Sequence, residues 1–416
     1  MTTRASIDLP RVNGARLLAD LDALAHIGGT AAGGVSRPAY GDDDVAARSH
    51  VRELMRRAGL TPRVDAGGNS WGRRAGSDGS TRGAIVIGSH TDTVPDGGRY
   101  DGALGVAAAL EVARTIAECR VKLRHPLEVV DFQNEEGGLV GSKIVAGKLR
   151  PDELTFVATS GRTLGDGIRA LGGDPERLGE ARLAPGSVAA YLELHIEQGR
   201  VLERAGADVG VVEGLVAISY WEVTFEGVAS HAGTTPMADR HDALLAAARF
   251  VDAVNAVVVA TPGRHVGTVG RLAVFPGGAN VIPGRVVLTL ELRDLDPNVI
   301  AGLFARIERE GARIAAATGT TLSMQPTLLN APAPTHPLVR DAVAAAARDL
   351  GLRPHLMPSG AGHDAQNMTA IGPSGMIFVP SVNGISHSPA ERTEDADVIN
   401  GANVLLGAVL RLDAML

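Results

Sequence analysis

GAIVIGSHTDTV, residues 83–94, decides the fold. Its apolar core, Ala84 to Gly88, shows no alternation, so it reads as a strand covered on both faces that ends on polar residues. The same pattern returns in PLEVVDFQNEEGG at 126–138, VAAYLELHIEQG at 188–199 and SGMIFVPSVNGISH at 374–387. Helical stretches lie between these runs. DDDVAARSHVRELMRRAGL, 42–60, opens on acids, closes on bases and meets Gly59 at its end, and ALGVAAALEVARTIAEC fills 103–119. Buried strands alternating with helices imply an α/β fold with parallel strands, and such sheets place their sites beyond the strand ends.

Residues 215–330 read differently. LVAISYWEVTFEG alternates like a half-exposed strand, Met237 to Val259 reads as an alanine-rich helix, HVGTVGRLAVF and GRVVLTLELRDLD as strands, 297–317 as a second helix, and TLSMQPTLL as a closing strand. The order β-α-β-β-α-β is the ferredoxin-like split unit. We therefore expect a catalytic domain over 1–214 and 331–416, interrupted by an inserted domain over 215–330. The proline-rich NAPAPTHP, 330–337, marks the exit.

A chain of 416 residues is long for one core, and 45% hydrophobic content is enough to fill two. A net charge of −7 argues against a nucleic-acid partner, which needs a basic stripe. The single cysteine, Cys119, excludes an internal disulfide framework and a cysteine-based zinc site, and fits a reducing cytoplasm. The N-terminus has no apolar run of the signal-peptide kind, and no membrane-length apolar stretch is evident, so no membrane partner is expected. These features describe a soluble cytoplasmic enzyme.

The chemistry sits just past the strand runs. In Ser89-His90-Thr91-Asp92 a strand-end histidine can offer a neutral ring nitrogen to a metal, while the aspartate two residues on can hydrogen-bond the other nitrogen and fix the tautomer. His90 alone reads equally well as a surface loop histidine. Asp101, opening a helix in Tyr100-Asp101-Gly102-Ala103, reads better alone as an N-cap. Glu135 and Glu136 are either a solvated acidic loop or two carboxylates with separate tasks, one for metal and one for a proton. His195 and His387, each taken singly, are ordinary polar histidines. Together these residues give three histidines and a set of carboxylates on loops at strand ends, and the joint order carries the reading.

The succession SHTDTV, YDGALGV, NEEGG, LHIEQG, SHAGTTPM, NVIPG, SGAGHDA and GISHSPAER resembles the amidase/carbamoylase branch of the M20 metallopeptidase clan from about residue 42 onward. That branch includes N-carbamoyl-L-amino acid hydrolases, allantoate amidohydrolases and β-ureidopropionases. The resemblance implies two divalent metals per subunit, zinc or else manganese, cobalt or nickel. His90 and His195 would hold one, Glu136 and His387 the other, with Asp101 between them and Glu135 as general base. It implies that His231 stabilises the oxyanion of the tetrahedral intermediate, reaching a partner subunit's site in a homodimer. Arg293 would clamp the substrate carboxylate, the alternative being a strand-end salt bridge with Asp294 or Asp296. Gln198, Asn280 and His363 would orient polar groups, and the Gly360-Ala361-Gly362 backbone would approach the substrate. The implied substrate is a small carboxylate-bearing amide, first an N-carbamoyl-L-amino acid, with allantoate and N-carbamoyl-β-alanine as variants. A dipeptidase or N-acyl amino acid deacylase is the more distant option, and a non-enzymatic scaffold is opposed by the complete ligand set.

The chain departs from the resemblance after Glu136. Gly137-Gly138-Leu139-Val140 leads at once into Gly141-Ser142, where the branch carries Arg-Phe and a longer segment. Trp71 reads as packing, Cys119 as a small core residue, and the Asp42 to Asp44 run as a helix start.

Overall fold

The computed structural model describes residues 10–77 and 82–416. The chain divides into two compact units, Met1–Gly214 with Pro334–Leu416, and Leu215–Ala333.

The first unit is built on a nine-stranded mixed sheet. Its centre consists of the four runs picked out above: β1 (Ala84–His90), β2 (Leu127–Phe132), β3 (Val188–Ile196) and β4 (Ser374–Val379). They stand in the order β2-β1-β3-β4, and every neighbouring pair is parallel. All seven residues of β1 and all six of β2 and of β4 are buried, which is why these strands are apolar without alternation. The parallel expectation holds for this centre only. Ser70–Arg74 runs antiparallel along β2, and Val209–Leu215 runs antiparallel along β4. Thr61–Val64 pairs with Ser70–Arg74 across a five-residue turn, and so short a connection permits only an antiparallel pair.

Three helices bear on the site: α1 (Asp42–Arg57), α2 (Ala103–Glu118) and α3 (Asp395–Met415). From Ala103 to Ile116 every residue of α2 is buried, and small side chains let it lie close on β1. Cys119 follows α2 and is exposed, so the core position expected for it is corrected: the helix ends one residue earlier and its chain turns outward. Among the described residues α3 alone is long and apolar enough to cross a membrane, a stretch the sequence reading did not single out. Two thirds of its most apolar window is buried inside the unit, packed on α2, β4 and the helix Pro337–Asp349. Trp71 is buried, donates its indole N–H to Asp65 at 2.7 Å and packs edge-on to Phe132.

In the second unit Ala217–Glu226, Val266–Phe275, Arg285–Asp294 and Thr321–Leu329 form a four-stranded antiparallel sheet. Helices Ala243–Val259 and Pro297–Thr318 follow the first and third strands, giving the β-α-β-β-α-β order. Trp221, Val223, Phe225, Leu288, Leu290 and Leu292 face those helices and meet Phe250 and Ile307 in a core of their own. The first helix begins at Ala243 rather than Met237, because the Asp242 carboxylate accepts from the Leu244 and Leu245 amides and caps it there.

Candidate metal centre

Because β1 to β4 are parallel neighbours, their carboxyl ends share one edge. His90 ends β1 beside Phe132 of β2, and His195, one residue short of the end of β3, lies beside Phe378 of β4. The loops that follow bring in the rest. Asp101 lies before α2, Glu135 and Glu136 follow β2, and His387 follows β4. The helix cap before α2 is Gly102, with φ 62°, and no side chain caps it, so Asp101 is free of the capping role that its position suggested.

Donor atoms of His90, Asp101 and His195 lie within 4.8 Å of one another, as do those of Asp101, Glu136 and His387. Asp101 is shared, and its two oxygens face different ways. Oδ1 is 3.1 Å from His195 Nε2 and 3.5 Å from His90 Nε2. Oδ2 is 3.4 Å from His387 Nε2 and accepts from Gln198 Nε2 at 2.7 Å. Glu136 Oε1 is buried with no hydrogen-bond partner, 3.5 Å from His387 Nε2. Glu135 Oε2 stands 3.6 Å from His90 Nε2.

The tautomers are set by the main chain. His90 Nδ1 lies 3.0 Å from the Asp92 carbonyl oxygen, and His195 Nδ1 lies 2.9 Å from that of Ile196. A carbonyl can only accept, so each Nδ1 carries a proton, and with a cation present each Nε2 would offer it a lone pair. From the sequence, the Asp92 side chain is expected to hold the His90 ring. That is corrected: its carboxylate lies 3.8 Å from the ring and instead accepts from the Glu135 and Glu136 amides at 3.2 Å each. Asp92 thus holds both glutamates by their backbone. Behind it is Arg48 of α1, fully buried, 3.5 Å from Asp92, 2.8 Å from Asp44 and 3.2 Å from Asp131, and donating to the Phe132 carbonyl. Arg48 and Asp44 were missed as site supports. Their only signal in the sequence is an i, i+4 acid–base pair on a helix, which ordinarily marks a solvated face.

Strain gathers on the same loops. Asn134, Leu139, Gln198 and His387 are non-glycine residues with φ between 50° and 61°. The shortened segment after Glu136 folds as a tight turn in which Gly138 and Leu139 both donate to the Glu135 carbonyl.

Burial and crowded charge shift the groups of the two ligand sets. Burial opposes ionisation of Asp101, but His195, His387 and His90 outweigh it and hold the carboxyl well below its ordinary range. Burial, with Glu136, Asp364 and Asp101 and against the pull of His90, drives Glu135 well above its ordinary value. Burial and Asp101 push Glu136 up to about 7, and contact with Asp101 raises His387 to about 9. A divalent cation among such donors displaces their protons, and mixed imidazole and carboxylate donors are a fit set for one.

Of the residues expected at the substrate, Gln198 is turned onto Asp101 and lies 3.5 Å from His387. His363 is buried against His195, ring centroids 4.4 Å apart, with neither nitrogen hydrogen-bonded. Burial and His195 hold it well below its ordinary value, so it is neutral. The Ala361 amide is donated to Ser359 Oγ, and Gly360 and Gly362 flank it. Within the second unit, His231 and Asn280 adjoin on the ribbon Ser230–His231 with Val281–Ile282, where the Ala232 amide bonds the Asn280 carbonyl. His231 Nδ1 accepts from the Gly233 amide, so its proton is on Nε2, the form that donates outward. Arg293 pairs with Glu291, a partner the sequence reading did not name, Nε to Oε1 at 2.7 Å.

The model of peptidase family M20/M25/M40 matches residues 86–411. An N-carbamoyl-L-amino acid amidohydrolase of Geobacillus stearothermophilus is 41% identical over 406 residues, covering 96% of this chain and 99% of that one. A ureidoglycolate hydrolase of Oryza sativa subsp. japonica is 36% identical, covering 94% and 83%. A solved hydantoinase/carbamoylase family amidase from Burkholderia ambifaria superposes with a TM-score of 0.89 at 38% identity, covering 97% and 98%.

Proposed function

Because the chain belongs to peptidase family M20/M25/M40, we propose that it is a metal-dependent amidohydrolase that removes the carbamoyl group of N-carbamoyl-L-amino acids. One observation carries the reading: two three-residue ligand groups share Asp101, with the Glu135 carboxyl beside them. The extended identity to a carbamoyl amino acid amidohydrolase supports the substrate.

His90 and His195 would hold one ion, Glu136 and His387 the other, and Asp101 both. Zinc suits this donor set, as do manganese, cobalt and nickel. Such ions supply Lewis-acid polarisation of the scissile carbonyl and make nearby water more acidic. Glu135 takes the proton of the attacking water and returns it to the leaving nitrogen; its raised affinity for a proton suits that task. His231 Nε2–H is a donor for the developing oxyanion, Arg293 the clamp for the substrate carboxylate, and Gln198, Asn280, His363 and the backbone of Gly360, Ala361 and Gly362 orient the remaining polar groups. Water and the carbamoyl amide give the free amino acid, ammonia and carbon dioxide. A cytoplasmic homodimer completes the reading, with His231 serving the partner subunit. Mixed dimers of His231→Ala and His195→Ala subunits should then regain activity that neither parent has.

The test of the reaction is ammonia release from N-carbamoyl-L-amino acids, N-carbamoyl-β-alanine, allantoate and ureidoglycolate, with zinc, manganese or cobalt added. Fastest turnover on the carbamoyl-L-amino acids is expected. Cleavage of dipeptides or N-acetyl amino acids with silence from the whole ureido panel overturns the assignment.

A further inference from the structure

Glu391, four residues past His387, belongs to no ligand group, yet it is buried to 4% exposure beneath the cluster. Its Oε1 accepts two consecutive backbone donors, the Tyr100 amide at 2.9 Å and the Asp101 amide at 3.1 Å. Its Oε2 accepts the Ser386 hydroxyl at 2.9 Å, and that same hydroxyl lies 3.2 Å from Asp101 Oδ2. The carboxylate reaches this place only because residue 98 is glycine; a Cβ there would fall on the Glu391 carboxyl.

These bonds join two loops nearly three hundred residues apart in sequence. One loop carries Asp101, the other carries Ser386, His387 and Glu391. Asp101 serves both halves of the cluster through different oxygens, so a rotation or shift of its carboxyl loosens one half or the other. We propose that Glu391, acting with Ser386, is the positioning residue for Asp101. It fixes the backbone of the shared ligand and locks it to the loop bearing His387, so that the Asp101–Glu136–His387 half of the cluster exists as a formed site. The proposal rests on the reading of Asp101 as a shared ligand. Glu391 mirrors Asp92, which holds the Glu135–Glu136 backbone on the opposite side.

The chemistry separates this role from plain packing. Glu391→Gln keeps an oxygen for both amides and sets its NH2 against Ser386 Oγ, which then accepts and gives its one proton to Asp101. Glu391→Ala removes all three bonds, whereas Ser386→Ala removes the hydroxyl between Glu391 and Asp101 and leaves both backbone bonds in place. The experiment titrates metal-free full-length protein with cobalt, followed by its visible absorption, beside urea unfolding of the same metal-free proteins. We expect two cobalt ions per wild-type subunit. Glu391→Ala should weaken the second ion about 10- to 100-fold and the first by less than about threefold. Glu391→Gln should lie within about threefold of wild type, and Ser386→Ala should weaken the second ion about fivefold. Cobalt affinities in Glu391→Ala within threefold of wild type at both sites would overturn the clamp. So would equal loss at both sites accompanied by lower metal-free stability and no rescue by glutamine, which marks a scaffold residue; should the alanine variant not fold, the Ser386→Ala titration decides by the same rule. A wild-type chain that takes up one ion or none would overturn the shared-ligand reading itself, and this proposal with it.

Discussion

Replacing Asp92 by asparagine changes almost no volume and one donor–acceptor relation. In the native chain the fully buried Asp92 carboxylate accepts the Glu135 amide at Oδ1 and the Glu136 amide at Oδ2, both at 3.2 Å. An asparagine has one acceptor oxygen, so its NH2 must face one of the two N–H groups. That leaves a buried amide unpaired, at a cost of about 1–3 kcal/mol. The surviving bond falls from charge-assisted to neutral, a further loss of about 1 kcal/mol. Arg48 loses one of three buried aspartates but keeps Asp44 at 2.8 Å and Asp131 at 3.2 Å, so the larger penalty of an orphaned buried charge does not apply. The expected destabilisation is about 2–4 kcal/mol. It should be measured on metal-free protein, so that ion release adds nothing. The chain has two tryptophans, Trp71 in the first unit and Trp221 in the second. A Trp221→Phe background therefore lets fluorescence report the first unit alone, whose urea midpoint should fall by up to about 1 M. Metal affinity or turnover should drop about 10- to 100-fold as the two glutamates lose their backbone anchor. A midpoint equal to wild type with unchanged metal affinity would refute the reasoning.

Glu135→Gln should cut turnover at least about 100-fold, leave bound metal unchanged by elemental analysis, and not lower metal-free stability, since it removes one of several crowded carboxyls; turnover within tenfold of wild type removes Glu135 as the proton carrier. Gly102→Ala places a Cβ against the His90 ring at a backbone with φ 62°, so the first cobalt ion should bind at least about tenfold more weakly, and normal cobalt binding would show that the His90 ring is not set as described. Metal uptake should release protons. Without metal, Glu136 is pushed up to about 7 and His387 to about 9, and the buried His90 and His195 rings are raised as well, so calorimetry in buffers of different ionisation enthalpy should find more protons released at pH 6 than at pH 8. Affinity should accordingly rise with pH across that range, and a flat profile contradicts the assignment of Glu136 and His387 as ligands.

The four central strands and the residues that follow them were legible from neighbours in the chain alone. An apolar run without alternation can be nothing but covered on both faces, and the change to His, Asp, Glu and Gly at its end is a local signal. The order β-α-β-β-α-β of the second unit was legible for the same reason, since alternation and helical period are properties of neighbours in the chain. Folding alone decided the rest. The strand order β2-β1-β3-β4 brings residues 90, 101, 136, 195 and 387 within one cluster. Asp101 looked like a cap until Gly102 proved to take that place, and Cys119 looked like core until the helix ended before it. Asp92 was assigned to the wrong partner, because a hydrogen bond is settled by a few tenths of an ångström between groups whose spacing no sequence records. Arg48 showed only an i, i+4 pairing, and Ser386 and Glu391 lay unremarked beside His387, for what gives each a role is the partner it meets across the fold.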